Sequence, residues 1–184
     1  MQPGFDLRLR TMIKALAETV LPAVDPSNKA AIEQAHLVLG SLELLRQQID
    51  YAYWFEVADV HSMSALVDSL AAVPSLPSGA EAKSIAAQSL AAAGRPDNRL
   101  SVLRECNRKL RDAISLLIQE SSAVDDAEIQ KQVRTLVLEH GETQIARERA
   151  FVAGTHFDVF PDNLGSIERS RVEVRGNNFL LVSA

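Results

Sequence analysis

The amino-acid sequence predicts an all-α protein: a helical bundle of about four main helices with short extra helices and a C-terminal β-hairpin tail. Three observations carry this. Apolar residues recur at spacings of three and four through most of the first 150 positions. The nine aromatics (six Phe, two Tyr, one Trp) leave the whole stretch between Phe55 and Phe151 to Leu, Ile, Val and Ala, which favours helix–helix packing over a sheet sandwich. A chain of 184 residues that is 47% hydrophobic has enough apolar material for one real core.

The first helix is expected to start at Asp6, a good N-cap, to bury Leu9, Met12, Ile13, Leu16 and Val20, and to stop at Pro22. Asp25-Pro26 reads as a cap followed by proline at the first helical position. It opens a long helix expected to run to about Phe55. One stripe of that helix is Ala31, Ala35, Val38, Leu42, Leu45, Ile49 and Ala52. A second, displaced around the axis, is Leu37, Leu44, Tyr51 and Phe55. Only the sector with Glu33, His36, Gly40, Glu43, Gln47 and Asp50 is polar. A helix apolar on two sides is either central in its bundle or shared with another subunit.

The register changes at Asp59, which predicts a kink near His61-Ser62 before a helix burying Val60 or Met63, Leu66, Val67 and Leu70. Pro74 to Gly79 is the clearest linker. An alanine-rich helix follows from Ala80 to Ala93, ended by Gly94. Asp97 is expected to cap a helix with the stripe Leu103, Cys106, Leu110, Ala113 or Ile114, and Leu117. Asp125 or Asp126 caps the last helix, with Ile129, Val133 and Leu136 inward. Residues 1–154 thus read as one bundle domain. Residues 155–184 read as a loop and hairpin around Gly176-Asn177-Asn178, packed on the bundle or on a second subunit because a lone hairpin is marginal in water.

The net charge of −5 offers no basic footprint for nucleic acid, no Lys/Arg run faces anionic lipid, and no segment is long and apolar enough to span a bilayer. The lone Cys106 forms no internal disulfide, so a reducing, cytoplasmic setting is expected.

Three constellations bear on chemistry. The run Ala35-His36-Leu37-Val38-Leu39-Gly40-Ser41 resembles the histidine-phosphotransfer signature, a helical His followed by a small-residue window. The resemblance implies a phosphoryl acceptor at His36, with Gly40 one turn on letting a receiver domain approach. Leu39 stands where that family carries a lysine, and Glu33 and Glu43 add negative charge that opposes a phosphoryl group. Glu33-x-x-His36 is also the pair used by di-iron bundles, but those need two such pairs and two further carboxylates, so neither a metal nor a cofactor is expected. Third, the stripe of the last helix runs from Leu136 into His140, then Thr143 or Gln144, then Arg147. A polar layer inside a helix seam must find partners, and Glu56, Asp59 and His61 are the available ones, so these six residues are candidates for a ligand or metal pocket, of a binding bundle or an enzyme.

The leading expectation is a non-catalytic binding or assembly module, not an enzyme. It is expected to be a homo-oligomer, a dimer at its simplest, with room for a further protein partner. Leu37, Leu44, Tyr51, Trp54 and Phe55 are the candidate interface, because aromatics are enriched at interface cores.

Overall fold

The computed structural model describes residues 4–153 and the backbone of two later strands. The architecture is all-helical over residues 4–153. In chain order the helices are α1 (Phe5–Ala15), a π-helical stretch Leu16–Val20, α2 (Leu21–Ala23), α3 (Lys29–Gln48), α4 (Ala52–Leu70), α5 (Gly79–Ala93), α6 (Leu100–Ala123) and α7 (Ala127–Phe151). The strands β1 (Val172–Arg175) and β2 (Asn178–Leu181) pair antiparallel, Val172 opposite Leu181 and Arg175 opposite Asn178. The rest of the 155–184 tail, including Phe157 and Phe160, lies outside the described residues, and so does any docking of it. The chain divides into two compact units, the first containing α1–α3 and the end of α7 from Glu148, the second running from Ala52 to Arg147.

In the first unit α1 packs on α3. It begins at Phe5 after Gly4, so Asp6 is no cap; its carboxylate pairs with Arg10 at 2.9 Å and with Arg46 of α3 at 3.4 Å. Pro22 does not stop the chain on arrival. The turn before it widens to π geometry, which relieves the clash between the proline ring and the Glu18 carbonyl, and the helix ends only where Val24 becomes extended. Asp25 forms a local turn, its Oδ1 accepting from the Ser27 amide at 2.9 Å and hydroxyl at 2.8 Å. The cap of α3 is Asn28, whose Oδ1 accepts from the Ala31 amide at 3.1 Å.

The single helix expected to reach Phe55 is two helices. The break falls at Ile49–Tyr51, where the Tyr51 amide turns back to the Gln48 carbonyl at 2.9 Å. No glycine or proline marks it. A β-branched residue, an aspartate and an aromatic in succession are weak helix formers, and the boundary between the two units falls immediately after them. The kink expected at His61-Ser62 is absent, because α4 runs unbroken through it. The apparent change of register at Asp59 is a helix buried nearly all round: Val57, Ala58, Asp59 and Val60 are consecutive and all buried.

In the second unit α4, α5 and α6 pack on one another around Val60, Val67, Leu70, Leu103, Leu110 and Leu117, all fully buried. Small residues of α5 (Ala82, Ala86, Ser89, Ala93) line its inner face and let it approach closely. Gly79, at its start, is held so near the preceding chain that a Cβ there would lie 3.3 Å from the Ala71 carbonyl oxygen. The linker turns at Ser75, whose φ of 67° is left-handed. Asp97 does not cap α6; Asn98 instead donates its amide to the Ala92 carbonyl. Asp126 caps α7, accepting from the Glu128 amide at 2.9 Å and the Ile129 amide at 3.3 Å, and Ile129 and Val133 join the core.

Candidate functional site

Where the apolar stripe of α7 gives way to polar residues, α4 offers a matching polar face. Asp59 on α4 is 1% exposed. Its Oδ1 accepts from Arg147 Nη2 at 2.7 Å and from Gln144 Nε2 at 3.2 Å, and its Oδ2 accepts from Arg111 Nη2 at 3.2 Å. Arg147 is itself buried, donates also to the Gln144 carbonyl oxygen, and lies with its guanidinium 6.0 Å from the Phe55 ring centroid. Its Nε and Nη1 are buried without a hydrogen-bond partner among the described residues. The spacing 140, 144, 147 puts His140, Gln144 and Arg147 on one face of α7, and 59 and 62 put Asp59 and Ser62 on one face of α4.

Two further groups of contacts flank this core. Ser62 Oγ and His140 Nδ1 are 3.4 Å apart. On α6 the fully buried Asn107 donates its amide to the Glu56 carbonyl at 3.1 Å and to Glu56 Oε2 at 2.7 Å, while Arg104 pairs with Glu56 Oε1 at 3.0 Å. Burial pushes the Asp59 carboxyl above its ordinary value, while Arg147, Gln144 and Arg111 hold it down. Burial likewise pushes His61 below its ordinary value, and His140 is lowered by burial first and by the Arg147 charge second.

The six residues expected to share a pocket are linked to different degrees, with Glu56 and His140 also within reach of the Asp59 and Arg147 charges. Asp59, Gln144 and Arg147 meet directly. His140 meets Ser62, and Glu56 turns to α6. The charge of Asp59 is committed to arginines, and among the described residues no carboxylate hydrogen-bonds the His140 imidazole. The layer compensates charge; its chemistry is that of a buried ion pair. Asn107 and Arg111 were not among the candidates. Asn107 was the findable one, because it occupies the stripe position between Leu103 and Leu110 where an apolar residue belongs.

The candidate interface residues divide between the units. Leu37, 52% exposed, Leu44 and Tyr51, both half-buried, belong to the first; Trp54, exposed and edge-on to Tyr53, and half-buried Phe55 belong to the second. His36 is exposed on α3, and the space a Gly40 side chain would take is open. Leu39, where the phosphotransfer signature has lysine, is half-buried. Elsewhere a groove of about 230 Å³ opens between α5 and α6, with Ile85 and Leu116 in its lining and Glu81, Lys109 and Asp112 bringing both signs of charge. Among the described residues no group of three or more His, Cys, Asp or Glu could hold a metal ion, and no helix is long and apolar enough to cross a membrane.

No family model matches the chain, and neither the curated proteins nor the solved structures contain a significant match to it.

Proposed function

We propose that this protein is a non-catalytic helical assembly module acting as a homo-oligomer, a dimer at its simplest, in a reducing, cytoplasmic setting. The α4–α7 helices serve as its bundle and the C-terminal hairpin as a tail docked on the bundle or on a second subunit. One observation carries the reading: α3 is a helix of 20 residues in which no residue is buried. A helix holds together in water mainly through the apolar face it buries, and Leu37, Val38 and Leu45 remain about half exposed among the described residues. Phe5, Leu7, Met12 and Val20 of the same unit are also exposed. The Asp59–Arg147 layer fits a scaffold role, since Asp59 commits both carboxylate oxygens to arginines. Static light scattering across a micromolar concentration series tests this. The expected mass is an integer multiple of the 20.1 kDa chain; a strict monomer throughout would sink the proposal.

A further inference from the structure

The inner face of α7 changes character halfway along. From position 127 to 137 every residue that is not exposed carries an aliphatic side chain: Ile129 and Val133 are buried, Leu136 and Val137 half-buried. From 138 to 147 the residues that are not exposed are His140, Gly141, Gln144 and Arg147, and none carries an apolar side chain. The two large apolar side chains of that stretch, Leu138 and Ile145, are 61% and 58% exposed. Gly141 stands in the interior of a helix of 25 residues, where glycine is a weaker helix former than alanine. The space a Cβ would take there is open, so no close neighbour requires its absence.

The described contacts that fasten this stretch to α4 are polar or cationic. Ser62 and His140 stand 3.4 Å apart beside Gly141. Asp59 accepts from Gln144 at 3.2 Å and from Arg147 at 2.7 Å, and the Arg147 guanidinium lies 6.0 Å from the Phe55 ring centroid. Such contacts replace ones the same groups make with water, so they hold less firmly than aliphatic burial. Arg147 also leaves Nε and Nη1 buried without a hydrogen-bond partner among the described residues, and water would supply acceptors for both once the side chain came free. Asp59 would not be stranded by that release. Its Oδ2 keeps Arg111 at 3.2 Å, on a side chain that is 56% exposed. We infer that residues 141–147 form a strap that detaches from α4 as one piece, pivoting at Gly141 while Ile129 and Val133 stay in the core. Opening uncovers Phe55, Asp59 and Ser62 on α4, so the strap is a gate over the polar face of that helix.

Native-state hydrogen exchange in low urea tests the strap. A stretch this short does not hold a helix in water without support, so opening exposes its amides together. The amides of residues 143–147 are expected to exchange about tenfold or more faster than those of residues 133–137. They are also expected to share one urea slope, above zero and smaller than that of global unfolding. Gly141→Ala, whose side chain enters open space, is expected to slow this shared opening about fivefold, the difference in helix propensity between the two residues. Exchange of residues 143–147 at the rate and slope of residues 133–137 means that α7 leaves only with the whole unit, and overturns the inference. Rates that ignore urea and rise steadily towards Phe151 mean fraying from the helix end, and overturn it as well. An unchanged rate in Gly141→Ala overturns the pivot.

Discussion

Leu110 on α6 and Leu45 on α3 are the same residue on long helices of one chain, yet the first is 0% exposed and the second 47%. Both helices carry apolar stripes at helical spacing. What differs is the company each keeps. Around Leu110, α4, α5 and α6 pack on one another and close a core. Against α3 pack α1, of 11 residues with Leu9 its sole buried position, and the π-helical stretch that continues it, while the end of α7 reaches Gln48. Amphipathic pattern makes a helix want a partner; the number of helices within reach decides whether it gets one. The second unit closes a core around α4, α5 and α6, whereas α3 of the first buries no residue.

The largest effect that would sharpen this contrast lies at Asp59. Replacing it with Ala leaves Arg147 buried with no carboxylate, and breaking one side of a buried pair costs about 3–5 kcal/mol. Equilibrium urea unfolding should show that loss in the transition of the second unit. The double variant Asp59→Leu/Arg147→Met removes both charges and should lose markedly less, because no ion is left stranded in the core. Equal losses in the single and double variants would mean that the layer acts through shape and not through charge.

Next in size is the leucine pair itself. Leu110→Ala should cost about 2–5 kcal/mol through lost burial and a residual cavity, while Leu45→Ala in protein diluted to the monomer should stay within about 0.5 kcal/mol. Denaturant midpoints for the two variants measure this directly. If Leu45→Ala costs as much as Leu110→Ala under those conditions, the strip on α3 is buried by its own chain and the contrast between the units fails.

Much of the second unit was legible in the sequence because each of its signals is local. Leu103, Leu110 and Leu117 recur at sevenfold spacing, Gly94 ends α5, and Asp126 caps α7 where an aspartate was expected. The meeting of Asp59, Gln144 and Arg147 was also within reach, since an apolar seam turning polar must find partners across it. The caps of the first unit were harder. Asp25 and Asn28 are both good caps, and the choice depends on whether the chain turns before or after Ser27, which no spacing rule states. The break at Ile49–Tyr51 has no local breaker at all. It separates units, and a continuous apolar stripe on either side of a boundary looks like one helix until tertiary packing divides it. Asn107 left a local signal in its stripe position, but a lone polar residue in a good stripe is easily read as noise.

The smallest effect concerns pH, and it follows from the two histidines of the second unit. His61 and His140 both sit below their ordinary value of 6.5, burial being the first cause in each case. In the unfolded chain each takes up its proton near 6.5, while the folded chain resists until lower pH. Between those points the unfolded state binds more protons, so stability rises with pH there and is lost on acidification through the window below 6.5. Asp59 has the opposite sign, because its carboxyl is raised above the ordinary 3.8, and protonation relieves a buried charge. Subtracting the urea midpoints of a His61→Gln/His140→Gln variant from those of the parent, pH by pH, isolates the histidines from that carboxylate. This parent-minus-variant difference should decrease as pH falls from 7 towards 5. A flat difference would mean that these imidazoles titrate alike in both states, and that the polar edge of the second unit is as open to water as the face of α3.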